Sequence, residues 1–169
     1  NNKCLRFWWE ICKQDISIKQ IDNKKWVGYS KGGPYQKWHG NLWLVVDFSD
    51  EGYSFLLNSG NNLPSKEYYY KEGITYSAAS SRGASFRYFP ENNVFDVGGS
   101  CIFPQEFQNI FYSIAFMNSK LCFYITSCLN PTVNTQVGDL KRVPFVIPSN
   151  EPLDKVTSLS KVNIEIVKK

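Results

Sequence analysis

The sequence holds a single histidine, His39, and that scarcity removes several classes of chemistry at once. A multi-histidine metal site is excluded, and so is a histidine-rich proton relay. The five cysteines, Cys4, Cys12, Cys101, Cys122 and Cys128, contain no CxxC pair. An odd number without such spacing fits reduced, mostly buried thiols in a cytosolic protein, not a disulfide frame or a zinc site. A Cys–His nucleophile pair stays formally open, but nothing marks any cysteine as activated. No apolar run approaches the ~18 residues needed to span a bilayer, and no leader of charged then apolar residues opens the chain. There is no Walker loop and no GxGxxG after a strand. Gly32-Gly33 and Gly98-Gly99 lack a phosphate-loop pattern and are expected in turns. Asp50-Glu51 has no visible catalytic partner. Catalysis within this segment is therefore not expected.

What is present is a chain of 169 residues, enough for one domain with a sizeable core. Aromatics reach 16%, which means either an aromatic-rich core or a surface that stacks on a ligand. Net charge is +4, unevenly spread. Residues 1–45 carry eight Lys/Arg against three Asp/Glu, 46–110 carry four against eight, and 111–169 carry seven against four. If the basic ends meet in space they form a face that attracts polyanions. The chain starts at Asn1 and ends at Lys169 within a helical pattern, as expected of a piece of a longer protein.

The first half reads as short strands between turns: Leu5–Ile11, Lys24–Tyr29 after an Asp22-Asn23 turn, and Asn41–Phe48, which is rich in β-formers. Lys31–Gly40 cannot be regular, because Gly32, Gly33 and Pro34 sit together. Residues 49–66 read as a polar loop, most flexible at Asn58–Asn62. Tyr68–Tyr70 leads to Ile74–Ala79, and Ser80–Gly83 makes a turn. Phe86–Phe89 and Val94–Val97 are expected as a hairpin about Pro90–Asn93. The 3-and-4 spacing of Phe111, Ile114, Ala115, Leu121, Cys122, Ile125, Cys128 and Leu129 predicts one long helix over Gln105–Leu129, stopped by Asn130-Pro131. Phe145–Ile147 reads as a short strand between Pro144 and Pro148. A last helix starts near Pro152, with a seam of Val156, Leu159, Asn163 and Ile166. The class is α+β: a single domain with an irregular mixed or antiparallel sheet, one long packed helix and a C-terminal connector helix.

Two loops carry side chains suited to nucleic acid. In the first, Lys31 and Lys37 can neutralise phosphates, Gln36 and Asn41 can pair with adenine, Tyr35 and Trp38 can stack, and His39 lies between them. A structural Gly-Pro turn with its aromatics folded into the core accounts for the same residues equally well. In the second, Ser80, Ser81 and Arg82 form a small-residue turn whose arginine can reach guanine or a phosphate, or is simply solvated. Lys141 and Arg142 can touch a phosphate or form exposed charge.

The strings RFWWE (Arg6–Glu10), KKWVGYSKGGPYQKWHGN (Lys24–Asn41), YKEGITYSAASSRGASFRY (Tyr70–Tyr88), VFDVGGSCIFP (Val94–Pro104), AFMNSKL (Ala115–Leu121) and LNPTVNTQVGDLKRVPF (Leu129–Phe145) run through nearly the whole chain. In that order they resemble the C-terminal half of the PglX-type methyltransferases of BREX phage-exclusion systems. The end of the chain is also similar to specificity domains of type I and type IIG restriction–modification enzymes. The resemblance implies an intact N6-adenine DNA methyltransferase that uses S-adenosylmethionine, with an Asn-Pro-Pro-Tyr-type catalytic tetrapeptide holding a flipped adenine. Asn130-Pro131-Thr132-Val133 lacks the second proline and the aromatic, so the catalytic and cofactor-binding parts are expected outside this segment, N-terminal to it.

The expectation is accordingly a cytoplasmic target-recognition domain over 1–150, with 151–169 beginning a connector helix. Its expected partners are double-stranded DNA, the methyltransferase domain of the same chain and other defence-system proteins, with no membrane and no cofactor in this segment. The expected DNA contacts are Lys31, Tyr35, Gln36, Lys37, Trp38, His39, Asn41, Ser80, Ser81 and Arg82, with Lys141 and Arg142 on the backbone. The 49–66 stretch is a further candidate for specificity. Alternatives are recognition for a type IIG enzyme that also cuts DNA, and a protein-interaction module of a defence complex.

Overall fold

The computed structural model describes residues 3–18, 22, 24–60, 63, 65–105 and 110–169. The expected positions Asn23, Asn61, Asn62 and 106–109 lie outside the described residues. The architecture is α+β, built on two small sheets. In the first sheet, β1 (Leu5–Phe7) and β2 (Trp26–Ser30) flank β3 (Leu44–Asp47) in antiparallel pairing. The second contains β4 (Gly73–Tyr76) between β5 (Phe86–Phe89) and β7 (Cys101–Ile102), all antiparallel.

The expected hairpin of Phe86–Phe89 with Val94–Val97 does not form. β5 pairs with β4, whereas β6 (Asn93–Phe95) crosses to the first sheet and runs parallel to β2, Gly28 opposite Asn93 and Ser30 opposite Phe95. Gly28 makes this possible: a β-carbon there would stand 2.1 Å from Asn93 Oδ1. The chain thus changes sheets at Pro90–Asn92, and Ser30 Oγ and Thr75 Oγ1, 3.1 Å apart, join the sheets.

The first sheet shares a core of Val27, Val46, Leu56, Tyr69, Val94 and Phe95, into which Phe89 reaches from β5. Leu56 belongs to α1 (Asp50–Asn58), which replaces much of the polar loop expected over 49–66. Its start is dictated locally. Ser49 Oγ accepts from Gly52 N at 3.3 Å, Asp47 Oδ1 holds Ser49 Oγ at 2.6 Å, and Asp50 and Glu51 complement the positive end of the helix.

The second sheet packs its Ile74, Tyr76 and Phe86 against Ile110 and Ile114 of α2 (Ile110–Met117) and Ile164 of α5 (Glu151–Lys168). Each such fully buried side chain contributes roughly 1.5–3 kcal/mol. The single helix expected over Gln105–Leu129 is broken at Asn118-Ser119 between α2 and α3 (Lys120–Leu129). Ser119 takes extended backbone and caps α3, its Oγ accepting from Cys122 N at 3.1 Å. Asn130 ends α3 where the sequence places the stop.

A single turn, α4 (Val137–Leu140), follows. Phe145–Ile147 is not a strand: Pro144 and Pro148 remove two amide donors. The stretch is held instead by Tyr112 Oη donating to Val146 O at 2.6 Å and by Phe145 edge-on to Phe116 at 5.1 Å. On α5 the expected seam is displaced. Ser160 and Ile164 are buried, Val156 and Asn163 are half-buried, and Leu159 and Ile166 face solvent. A small residue at 160 suits a close helix crossing, which turns the contact face toward it.

Candidate nucleic-acid interface

The two loops singled out by their side chains meet. The first leaves the end of β2 at Ser30 and returns to β3; the second joins β4 to β5. Gly33, Pro34 and Tyr35 from one, with Ala79, Ser80, Ser81 and Arg82 from the other, line a common open groove of about 470 Å³. Tyr35, Ser81 and Arg82 are exposed.

The rest of the first loop is turned toward the protein. Trp38 adopts a left-handed conformation (φ 74°) and joins the edge of β5, its N donating to Phe86 O at 2.9 Å and its O accepting from Tyr88 N at 2.8 Å. Its ring packs on the second core. Lys37 Nζ donates to Asn118 O at 2.8 Å. Gln36 lies against Gly40. Asn41 is buried and its Nδ2 donates to Pro34 O at 3.0 Å. His39 is partly buried near the end of α5; burial pulls its pKa below the usual imidazole value, Lys168 adds to this, and Glu165 opposes it. Lys31 is exposed but borders a different cleft, beside Tyr29 and Asp96. Lys141 borders a third, apolar cleft of about 540 Å³ beneath α2, and Arg142 beside it is exposed.

The second loop is braced from behind. Ser80 N donates to Val133 O at 2.9 Å and Thr135 N to Ala78 O at 2.8 Å. Gly83 has φ 84°, and a β-carbon there would stand 2.5 Å from Phe123 Cε2. Asn130 is consumed locally. Its Nδ2 donates to Asp139 Oδ2 at 2.7 Å and its Oδ1 accepts from Thr132 N and Oγ1. The Asn-Pro-Thr-Val string is thus a turn and has no free amide to hold a base. Gly32 and Gly98 are equally committed: a β-carbon on Gly32 would lie 2.4 Å from Gly98 O, and one on Gly99 2.6 Å from Ser30 O. These glycine pairs let two backbone segments touch.

Sequence reasoning missed the residues beneath the groove. Ser77 and Ser85 are buried and hydrogen-bond to the backbone of the first loop: Gly33 N reaches Ser77 Oγ at 3.0 Å and Gln36 N reaches Ser85 Oγ at 3.2 Å. Their spacing on either side of Ser80–Arg82 was the available signal.

The class is plain: the chain is homologous to a segment of adenine-specific methyltransferases. It is 36% identical over 166 residues to the adenine-specific methyltransferase BrxX of Escherichia coli O9:H4 (strain HS), covering 97% of this chain. It is 31% identical over 153 residues to the adenine-specific methyltransferase PglX of Lacticaseibacillus casei (strain Zhang), covering 83% of this chain. The chain spans 13% of the length of each of these relatives. No protein-family model matches it. Among the described residues no helix is long and apolar enough to cross a membrane.

Proposed function

We propose that this chain is the DNA target-recognition segment of an N6-adenine methyltransferase of the BREX phage-defence kind. The observation that carries the reading is the groove where Tyr35 and the Ser80–Arg82 turn meet. Methylating one adenine in a short asymmetric site requires groups that read neighbouring bases, and each good bidentate contact supplies about 1–3 kcal/mol of discrimination. Arg82 supplies the fork for guanine or phosphate, the serines supply short donors, and Tyr35 supplies an aromatic face. On this reading S-adenosylmethionine is the methyl donor of the whole protein, and its site belongs to the remainder of the methyltransferase. Residues 1–150 act as the reading domain and α5 as the link to the rest.

A second reading, a protein-docking module, draws on the exposed stack of Phe7 and Trp9 with ring centroids 4.6 Å apart, Trp8 edge-on at 5.7 Å.

The deciding experiment replaces residues 1–169 in the full-length methyltransferase with the matching segment of a relative that marks a different motif. N6-methyladenine is then mapped across the host genome. Migration of the mark to the donor motif is expected. Methylation persisting at the original motif overturns the reading in favour of the docking module. If the chimera marks nothing, its binding preference between the two motif duplexes decides.

A further inference from the structure

Strand alternation on β5 sends Phe86 and Tyr88 toward α2 and α5, and Arg87 and Phe89 to the opposite side. Arg87 is completely buried, at 0% exposure. A buried guanidinium ordinarily has a carboxylate partner. The side-chain ion pairs among the described residues are Lys25–Asp47 and Lys168–Glu165, and Arg87 is in neither.

Its partners are neutral and come from three segments. Nη1 donates to Gln36 O, Ser85 O and Ser85 Oγ, each at 3.3 Å. Nη2 donates to Ser77 Oγ at 3.1 Å, and Nε has no partner. The two serines pass the contact on: Ser77 Oγ donates to Gly33 O at 2.8 Å and accepts from Gly33 N, and Ser85 Oγ accepts from Gln36 N. Both ends of the Gly33–Gln36 stretch are therefore tied to the guanidinium directly or through one hydroxyl. The same guanidinium holds Ser77, the first residue after β4, and Ser85, the last before β5, the two roots of the Ser80–Arg82 turn. Burial lowers its pKa to about 10, so it stays protonated at neutral pH.

We propose that Arg87 is a positioning residue of the groove, clamping its two walls so that Tyr35 and Arg82 are held at a fixed separation for DNA. The role rests on the DNA-recognition reading above. It needs the planar fork, because three chain segments are reached at once and an ammonium on a flexible stem does not present that geometry. A fixed groove spends less of its binding energy on ordering loops.

The test uses the full-length methyltransferase. Arg87→Lys keeps a buried cation and loses the fork; Ser77→Ala removes only the relaying hydroxyl and covers the case in which Arg87→Lys does not fold. Hydrogen exchange without DNA reads the clamp by itself. Exchange at the Gly33 and Gln36 amides should accelerate about tenfold or more relative to amides of β3 in the folded variants, the behaviour of local opening. Unchanged exchange overturns the clamp. Binding to a duplex carrying the methylation motif should weaken by about tenfold, or ~1.4 kcal/mol. In the Ser77→Ala background, Tyr35→Ala should then cost at most about twofold, since coupled sites are not additive. The full Tyr35→Ala effect in that background overturns the positioning role. Accelerated exchange with DNA binding indifferent to Tyr35→Ala, Arg82→Ala and Ser77→Ala overturns the DNA reading, and the positioning role with it, while leaving a clamp in the fold.

Discussion

Asn118 pairs with the backbone of Phe86 through both ends of its amide: Phe86 N donates to Oδ1 at 3.0 Å, and Nδ2 donates to Phe86 O at 2.8 Å. The same asparagine receives Lys37 Nζ on its own carbonyl. A side chain at the break between two helices thus supplies the edge of β5 with the partners a neighbouring strand would give it. Asn118→Ala leaves the buried Phe86 N without its acceptor, while Phe86 O keeps Trp38 N. The expected loss is about 1–3 kcal/mol, the cost of one unsatisfied buried group. Asn118→Asp should also destabilise, because a carboxylate accepts from Phe86 N but repels Phe86 O. Denaturant unfolding checks both; Asn118→Asp at wild-type stability would contradict the pairing.

Arg82→Ala and Tyr35→Ala remove exposed groove groups that the fold does not use. Each is expected to weaken motif binding by about 1–3 kcal/mol and to leave the melting temperature unchanged. If Arg82 meets a phosphate, its loss also reduces the salt dependence of binding by about one unit of slope. Titrations of the full-length protein at several salt concentrations measure both effects.

Gly83→Ala combines a left-handed backbone with a β-carbon driven into the Phe123 ring. A cost above about 1 kcal/mol is expected, along with weakened DNA binding from the displaced turn. Phe123→Ala in the same chain removes the collision but not the backbone strain, so it should recover only part of the loss. Full recovery would place the whole effect in the ring contact.

His39 is held below its ordinary pKa of 6.5, chiefly by burial. The unfolded chain therefore takes up the proton first. Stability is fully present above pH 6.5 and is lost as pH falls through the folded value. His39→Gln should flatten this part of the melting profile between neutral and mildly acidic pH, visible by calorimetry at a series of pH values. An unaltered profile would show that other groups set it.

Much of the fold was legible because it is local. β2 and β3 follow from runs of β-formers, the irregular Lys31–Gly40 stretch from its glycines and proline, and the start of α5 from Pro152. α1 was legible too, in Ser49 followed by Asp50-Glu51, but the polarity of 49–66 masked it. The partner of Val94 was not legible: a strand, a turn and a strand describe Phe86–Phe95 locally, and the choice between β5 and β2 depends on Gly28, far away in sequence. Nor was the break at Asn118. The apolar period continues through it, and only a tertiary partner, Phe86, explains an asparagine there. The exposed groove residues drew notice through their chemistry. Arg87 did not, because an isolated arginine in a strand reads as surface charge until its neighbours are known.

The crossing of β6 into the first sheet has a consequence for the chain as it leaves the ribosome. β1, β2 and β3 are complete once Asp47 has emerged, but the open side of β2 waits for Asn93, about 46 residues later. At synthesis rates of roughly 5–20 residues per second, that is an interval of about 2–9 s. Throughout it a hydrophobic strand edge is exposed to other nascent chains. Damage to Asn93 or Gly28 should therefore appear first as poor soluble yield, before any defect in the folded protein is measurable.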